Sequence, residues 1–311
     1  MLRLMYYLEA GKEMNIPVVL IVFNRPDTTQ SVFDIIRKMA PKKLFIVSDA
    51  ARDEKGIYEK KLVSRVRNIC KQIDWKCNAH TKYATKNLGC RKAVSYGLDW
   101  VFSHVDRAII LEDDCIPDTT FFRFCEELLV KYNANEKIMM ISGNNFLSEN
   151  TKYSYDFCKH SLIWGWATWR RAWVQYRKAE KKGLKELAQK FDTYASLMSP
   201  IRLSAIQKTL SGKIDTWDYI WQMALLMQDG LCVYPFTNLV RNIGFGPNAT
   251  HTKYVTLHAS KKANPMRFPL IHPNQILQNM TMDKYIEKTY QPLNMLWDIA
   301  CGFILQKNKR H

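Results

Sequence analysis

Three consecutive carboxylates, Glu112, Asp113 and Asp114, follow the apolar segment 108–111 in this chain of 311 residues. A short apolar, β-branched segment predicts a buried strand, so the carboxylates leave its carboxyl end, where open α/β sheets place ligands. Adjacent carboxylates repel one another, which raises their pKa values unless a cation lies among them. The triplet therefore predicts a cation site. The alternative is a solvated acidic turn, with Asp118 capping the helix that follows.

Apolar runs alternate with helical periodicity around the triplet. Strands are predicted at 16–23, 44–47, 80–83 and 108–111, helices at 28–39, 54–73 and 92–102 between them, and a further helix and strand at 119–132 and 138–143. This order predicts a parallel sheet flanked by helices, with right-handed crossovers. The polar and aromatic stretch 144–159 predicts a loop over the sheet edge, and a lysine-rich helix is predicted near 179–191.

The composition narrows the class of protein. Hydrophobic residues make up 47% of the chain, which excludes global disorder. The net charge of +17 favours anionic partners such as nucleic acid, nucleotide phosphates or acidic lipid headgroups. The eight cysteines form no CxxC pair and no export signal is visible, so we expect reduced thiols in a cytosolic protein. No apolar window reaches the roughly 20 residues of a membrane span, which predicts a soluble or peripheral protein.

Polar side chains also follow the first two predicted strands. Asn24 and Arg25 come after the first strand, and Asp49 comes after the second. A cation held by one or two carboxylates and by substrate phosphates is the usual arrangement of Mg²⁺ or Mn²⁺, and the planar fork of arginine suits phosphate. Taken with the triplet, these residues predict a nucleoside-diphosphate site at the carboxyl edge of the sheet. Singly, Arg25 and Asp49 would be a turn cation and a helix cap.

Several ordered motifs between about residues 16 and 252 resemble one family. They are Leu111-Glu112-Asp113-Asp114-Cys115-Ile116-Pro117-Asp118 followed by Phe121-Phe122, Asn87-Leu88-Gly89-Cys90-Arg91, Trp164-Gly165-Trp166-Ala167-Thr168-Trp169, and Asn242-Ile243-Gly244-Phe245-Gly246 with Ala249-Thr250-His251. The chain resembles GT-A-fold glycosyltransferases, in particular the bacterial relatives of N-acetylglucosaminyltransferase I, whose acidic motif is of the DxD type. The resemblance implies a GT-A (Rossmann-like), mostly parallel sheet with a continuous acceptor-side C-terminal lobe.

The resemblance also implies roles for the donor-site residues. Asp114 would be the direct metal ligand, while Glu112 and Asp113 would contact the sugar and the ribose of the donor. Asp49 would hold a uracil-type base, and Arg25 would lie nearer the phosphates.

Three further positions are expected at the same site. Asn24 and Arg91 are predicted to contact the nucleotide sugar. His251 matches a C-terminal histidine that ligates the metal in many GT-A enzymes. The alternative for His251 is a structural histidine, because a lone histidine is more often structural than a ligand.

The segment 215–221, Asp-Thr-Trp-Asp-Tyr-Ile-Trp, resembles the family's segment with the catalytic base. An inverting transferase needs one carboxylate to take the proton of the acceptor hydroxyl during attack on the anomeric carbon. We assign that role to Asp218 and keep Asp215 in reserve, because Asp215 is better placed to cap a helix.

Other features keep two interpretations. Trp164, Trp166, Trp169 and Trp173 suit either sugar stacking or a core, and three of them would share one helical face if a helix began at Ala167. The lysine-rich helix, with lysines 178, 181, 182 and 185, is either a solvated face or a membrane-facing one. Segment 292–305 has tryptophan and phenylalanine before terminal cations, so it is either an interfacial anchor or a helix docked on the core.

The domain prediction has four segments. They are an N-terminal extension at 1–15, a nucleotide-sugar-binding half at 16–145, an acceptor-side half at 146–275 and a helical tail at 276–311, which either meets a membrane interface or packs on the core.

The predicted function is a metal-dependent, inverting glycosyltransferase that uses Mn²⁺ or Mg²⁺. It would move a sugar from a nucleoside-diphosphate donor, expected to be UDP-linked, to a glycan or lipid-linked saccharide in bacterial surface polysaccharide synthesis. We expect it in the cytoplasm or peripherally at the inner face of the plasma membrane. One alternative is a nucleotidyltransferase, which usually has a glycine-rich phosphate loop where this chain has 23–26, Phe-Asn-Arg-Pro. The other is a basic, non-enzymatic nucleic-acid-binding protein, although no such motif is recognised.

Overall fold

The computed structural model describes residues 14–145, 151–245 and 261–289, and these residues form the predicted α/β fold, consistent with a Rossmann-like nucleotide-binding fold. The strands are β1 Val18–Val22, β2 Lys43–Ser48, β3 Asn78–Tyr83, β4 Arg107–Glu112, β5 Cys115–Pro117, β6 Ile138–Ser142, β7 Tyr155–Cys158, β8 Trp166–Trp169, β9 Leu231–Pro235 and β10 Val240–Asn242. The helices are α1 Pro26–Met39, α2 Gly56–Cys70, α3 Gly89–His104, α4 Thr120–Lys131, α5 Arg170–Gln189, α6 Phe191–Ala195, α7 Pro200–Leu210, α8 Asp218–Met227 and α9 Met280–Thr289, with a 3₁₀ turn at Asp53–Lys55.

The central sheet has the order β3-β2-β1-β4-β8-β6-β9-β7 and is mostly parallel. Strands β1 to β4 all run parallel, and successive residues of β1 alternate between two apolar cores on opposite faces of the sheet. The chain moves outward from β1 to β3 and then returns to the other side of β1 with β4. The strand order therefore reverses between β1 and β4, and a crevice at this reversal is where open α/β sheets bind ligands.

The second half of the chain continues the same sheet. Strand β8 lies antiparallel between β4 and β6, and β9 and β7 follow. Helices α5, α7 and α8 pack together over one core. Trp166, Trp173, Trp217 and Trp221 are fully or almost fully buried there, and the rings of Trp166 and Trp217 stack with centroids 5.3 Å apart. These indoles therefore belong to the core, which was one of the two interpretations of Trp166 and Trp173 from the sequence.

One local expectation was wrong, and one condition is not met. No helix begins at Ala167, because residues 166–169 form β8 and their backbones pair with both β4 and β6. The stretch 144–159 was expected to be a loop, but it contains β7, whose partner β9 comes from more than 70 residues later. A pairing of this range leaves no local sequence signal. The lysine-rich helix is real and begins earlier than expected, at Arg170.

The predicted C-terminal tail is described only as far as residue 289. Its helix α9 packs on the core through Met282 and Ile286, which are 0% exposed. Segment 292–305 and the N-terminal extension up to residue 13 lie outside the described residues. Within the described ranges, no helix has the length and apolar character needed to cross a bilayer. The four-segment division of the chain stays a prediction.

Candidate functional site

The acidic triplet lies at the crevice between β1 and β4, as predicted. Strand β4 ends at Glu112, which is level with Ile21 of β1, and Asp113 and Asp114 turn the chain into β5. Strand β5 pairs antiparallel with β10, and the backbone N–H of Ile243 donates to the carbonyl of Asp114 at 2.8 Å. The segment around β10 therefore fixes the acidic turn from the far side of the crevice.

Arg25 links the first strand to the triplet. It directly precedes α1, and its carbonyl accepts hydrogen bonds from the backbone and hydroxyl of Thr29 in the first turn of that helix. Its guanidinium donates through Nη2 to Oδ1 of Asp113 and forms an ion pair through Nη1 with Oδ2 of Asp114 at 2.8 Å. The Arg25 side chain is 23% exposed, against 3% for Asp113 and 11% for Asp114. One cation thus bridges two nearly buried carboxylates.

Burial and mutual repulsion dominate the electrostatics of the triplet. Burial, together with the charge of Asp114, raises the pKa of Glu112 to about 8, and Arg25 opposes that rise. Burial likewise raises the pKa of Asp113 to about 6, although Arg25 lowers it. Burial alone would lower the pKa of Arg25, but the charges of Asp113 and Asp114 outweigh it and raise that pKa. The cluster therefore carries more negative charge than one guanidinium neutralises.

The described residues do not form a ready divalent-metal site. Among them, no group of three histidine, cysteine or acidic side chains is placed to hold an ion. The two carboxylates best placed to do so, Asp113 and Asp114, are directed at Arg25 instead. His251, the further predicted ligand, lies outside the described residues. The donor set as arranged fits a guanidinium rather than a metal.

Asp49 makes the contacts of a helix cap. Its carboxylate accepts the backbone N–H groups of Ala50, Leu88 and Gly89, and the side-chain amide of Asn87 donates to it at 3.0 Å. Burial raises the pKa of Asp49, and the backbone hydrogen bonds from Leu88, Ala50 and Gly89 limit that rise. The carboxylate of Asp49 therefore positions the start of α3, which is the cap alternative considered from the sequence; its contact with a base stays a prediction.

Asp215 caps a helix remote in sequence. Its carboxylate accepts the backbone N–H groups of Cys90 at 2.9 Å and Arg91 at 3.2 Å, in the first turn of α3. A Cβ on Gly89 would lie 2.5 Å from Oδ2 of Asp215, so the close approach requires glycine at this position, where φ is +78°. The predicted capping role of Asp215 is thus real, but the capped helix is α3 rather than the adjacent α8.

Asp218 belongs to the second half of the chain, and its charge reaches the triplet. It is the first residue of α8, and the hydroxyl of Thr216 donates to its carboxylate. Its negative charge contributes to the raised pKa of Glu112 and also to that of Cys90, so these groups lie within electrostatic reach of one another. The charge of the predicted base therefore acts on one predicted donor carboxylate, while its catalytic role stays a prediction.

Two predicted donor contacts point to other partners. The Arg91 guanidinium pairs with Glu180 of α5 at 3.0 Å and donates to the carbonyl of Thr209. The amide of Asn24 donates to Glu59 of α2 at 2.9 Å. Their contact with a nucleotide sugar stays a prediction.

Gly244 lies against the Arg25–Asp114 ion pair, a contact that the sequence did not predict. A Cβ at this position would lie 1.9 Å from Oδ2 of Asp114 and 2.7 Å from Nη1 of Arg25. Its backbone N–H donates to Oδ1 of Asn242 at 2.7 Å. The chain therefore closes directly over the Arg25–Asp114 ion pair, which only a residue without a side chain permits. Its place in the Asn242–Gly246 motif was the available signal.

Comparisons with known proteins give only distant likenesses. No family model matches the sequence, and no curated protein matches it. The structure is similar to UDP-glucose pyrophosphorylase in complex with UDP-glucose, with a TM-score of 0.34 and 10% identity over 71% of this chain and 90% of that one. It is also similar to HddC from Yersinia pseudotuberculosis (TM-score 0.32, 6% identity, 50% and 77% covered). A third is 4-diphosphocytidyl-2C-methyl-D-erythritol synthase from Anaerococcus prevotii (TM-score 0.28, 8% identity, 53% and 76% covered). Likenesses at these scores carry no argument about the activity of this chain.

Proposed function

We propose that this chain is a glycosyltransferase that moves a sugar from a nucleoside-diphosphate donor to the hydroxyl of a glycan or lipid-linked saccharide. One observation carries the proposal: Arg25 pairs with Asp113 and Asp114 where β4 ends beside β1, and the charge of Asp218 acts on Glu112 of the same triplet. A donor bound in this crevice would meet an arginine for its phosphates and a carboxylate for the acceptor proton. A uridine base is the expectation from the family resemblance.

Arg25 would bind the diphosphate of the donor. A guanidinium forms paired hydrogen bonds with phosphate oxygens, and it already stands at the start of α1, where backbone N–H groups and the helix dipole favour an anion. Glu112 and Asp113 would accept hydrogen bonds from sugar and ribose hydroxyls. The proposed dependence on Mn²⁺ or Mg²⁺ rests on the family resemblance alone. The geometry gives it no support, because Asp113 and Asp114 pair with Arg25.

Asp218 would act as the general base. In an inverting transfer the acceptor oxygen attacks the anomeric carbon, the bond to the diphosphate breaks, and a carboxylate takes the hydroxyl proton. Asp218 is half-buried and its charge acts on Glu112, whereas both oxygens of Asp215 are occupied by the backbone of α3. This division favours Asp218 over its neighbour.

The direct test is a panel of nucleotide sugars incubated with the full chain, with and without Mn²⁺ and with saccharide acceptors. We expect nucleoside diphosphate release from one donor. Asp218→Asn should lower acceptor-dependent turnover by about 100-fold or more while leaving donor affinity intact, since general-base catalysis typically contributes about 10²–10⁴-fold. Asp215→Ala should lower stability instead, by about 1 kcal/mol through the loss of a helix cap. The reverse result would assign the base to Asp215.

The same assay separates the nucleotidyltransferase alternative. Such an enzyme would release inorganic diphosphate from a nucleoside triphosphate and a sugar phosphate. In the structure, α1 begins at Pro26, only four residues after the end of β1 at Val22, and the backbone N–H of Phe23 already donates to the Asp113 carboxylate. This short connection lacks the glycine-rich loop that cradles a triphosphate. Diphosphate release without nucleotide-sugar hydrolysis would replace our proposal with that one.

An anionic membrane surface is the proposed location of the acceptor. Lys178, Lys181 and Lys185 are exposed on the outer face of α5. Two large apolar side chains near these lysines in the sequence are also exposed, Leu184 of α5 at 42% and Phe191 of α6 at 49%. Exposed cations next to apolar side chains suit the headgroup region of an anionic bilayer. Peripheral binding there would bring the crevice to a lipid-linked saccharide.

A further inference from the structure

An apolar groove of about 220 Å³ lies between α5, α6 and α7. Leu187 and Leu203 line this groove and are buried, so they form its floor. Leu184, Phe191 and Pro200 also line it, and these three residues are exposed. None of the lining residues belongs to the candidate site around the acidic turn. The groove is therefore an apolar surface feature that the proposed chemistry does not use.

The size of the groove suits a hydrocarbon chain. An apolar cavity of about 150 Å³ stays dry and binds benzene, so a groove of about 220 Å³ has room for more carbon atoms than benzene has. The lining residues of α7 run from Pro200 to Gln207, which is about two turns or roughly 10 Å of that helix. An elongated apolar ligand would therefore lie along α7 and remove exposed apolar side chains from water, which is favourable.

Positive charge surrounds the groove. Segment 170–213, which contains α5, α6 and α7, has eleven lysines and arginines but only three acidic residues. Lys181 lies three positions before Leu184, and Lys185 lies three positions before Ala188, which also lines the groove. Residues three apart on a helix are neighbours on its surface, so these two exposed lysines stand beside the groove. This combination suits a ligand with an apolar chain and an anionic head.

We propose that the groove binds an acyl chain of an anionic phospholipid, whose phosphate lies against the lysines of α5. The inference deepens the proposed membrane location, and it rests on the proposed function only for its purpose, which is to hold the enzyme beside a lipid-linked acceptor. Segment 292–305 is the other apolar occupant that the sequence offers, but Lys307, Lys309 and Arg310 follow it. Docking that segment in the groove would bring like charges together, so charge favours the lipid.

The test measures binding of lysophosphatidylglycerol to the full chain by calorimetry, below the concentration at which this lipid forms micelles. Across a series from hexanoyl to dodecanoyl lipid, each added methylene should tighten binding about fourfold until the groove is full. Ala188→Phe places a ring in the groove and should weaken binding of the longer lipids by about tenfold or more, because several methylenes lose their place. Gln189→Phe is the matched control, because Gln189 is also exposed on α5 but does not line the groove.

A second variant tests the headgroup. Replacing both Lys181 and Lys185 with glutamine should weaken binding of lysophosphatidylglycerol but not of lysophosphatidylcholine with the same acyl chain, because only the first lipid has a net negative charge. Affinity that does not rise with acyl length, or an equal loss in both phenylalanine variants, would overturn the proposal. If no lipid binds and Ala188→Phe changes the melting temperature or the oligomeric state, the groove belongs to another segment of the protein or to a second copy. No readout needs a sugar donor, so a negative donor panel would reject the proposed function alone.

Discussion

Replacing Gly244 with alanine should damage the site far more than the fold. The new Cβ would lie 1.9 Å from Oδ2 of Asp114, whereas real Cβ atoms essentially never come within 3.0 Å of another atom, so the carboxylate must move by about 1 Å. Overpacking of this kind costs about 1–3 kcal/mol of stability. A displacement of about 1 Å in a reacting or positioning group can cost about 100-fold in rate. The expected result is a melting temperature lower by a few degrees and a turnover lower by about two orders of magnitude.

The assay pairs thermal unfolding with donor hydrolysis at saturating nucleotide sugar. Gly230→Ala is the matched control, because its Cβ would lie 2.3 Å from Sδ of Met139 at the opposite edge of the sheet, where β6 and β9 begin. That variant should lose comparable or smaller stability and keep its turnover. Wild-type hydrolysis by Gly244→Ala would refute the reasoning, because it would mean that the Arg25–Asp114 pair can shift without functional cost.

Two further predictions concern pH and the membrane surface. Burial and the charge of Arg202 hold the pKa of His160 well below its usual range, so this histidine stays neutral in the fold but takes up a proton when unfolded below about pH 6.5. The contribution of His160 to stability is therefore complete above that pH and is lost as the pH falls, at up to about 1.4 kcal/mol per pH unit. From pH 7 to pH 5.5, the free energy of unfolding should fall less steeply for His160→Gln than for wild type. Equal slopes for the two proteins would contradict the assignment. Reversing Lys178, Lys181 and Lys185 to glutamate should abolish co-sedimentation with vesicles of phosphatidylglycerol and phosphatidylethanolamine. Reversing three lysines on and directly after α2 should not, and if both triple variants still bind, the surface is elsewhere. The lysines for this control are Lys60 and Lys61 of α2 and Lys71, which follows its last residue.

The first half of the fold could be predicted because β1, β2 and β4 are buried along most of their length. Each contains a continuous apolar run, and a polar residue ends the strand or follows it within two residues at the same edge of the sheet. Helix α1 begins at Pro26, which suits the first turn of a helix. Apolar runs, turn residues and helical periodicity all indicated the same order of elements, and parallel connection placed Arg25 beside the triplet.

The second half could not be predicted in the same way, because its partners are distant in sequence. Strand β8 pairs antiparallel with two strands that precede it, and Asp215 caps a helix that begins about 125 residues earlier. Neither contact has a local pattern. An aspartate before an apolar helix normally indicates a cap for that helix, and here the carboxylate was turned towards α3 by the tertiary fold.

The sequence predicted the location of Arg25 but not its ion pairs with Asp113 and Asp114, again because these partners are distant in sequence. A carboxylate triplet predicts a cation, and the argument from repulsion does not specify which cation. Arg25 lies 88 residues before Asp113, yet the adjacency of β1 and β4 brings its guanidinium to both aspartates of the triplet. Burial is the largest cause of the raised pKa values of Glu112 and Asp113, and the charge of Arg25 opposes both rises. Among the described residues, the cation that the triplet requires is therefore supplied from the end of a neighbouring strand, and a pattern of adjacent carboxylates alone does not reveal it.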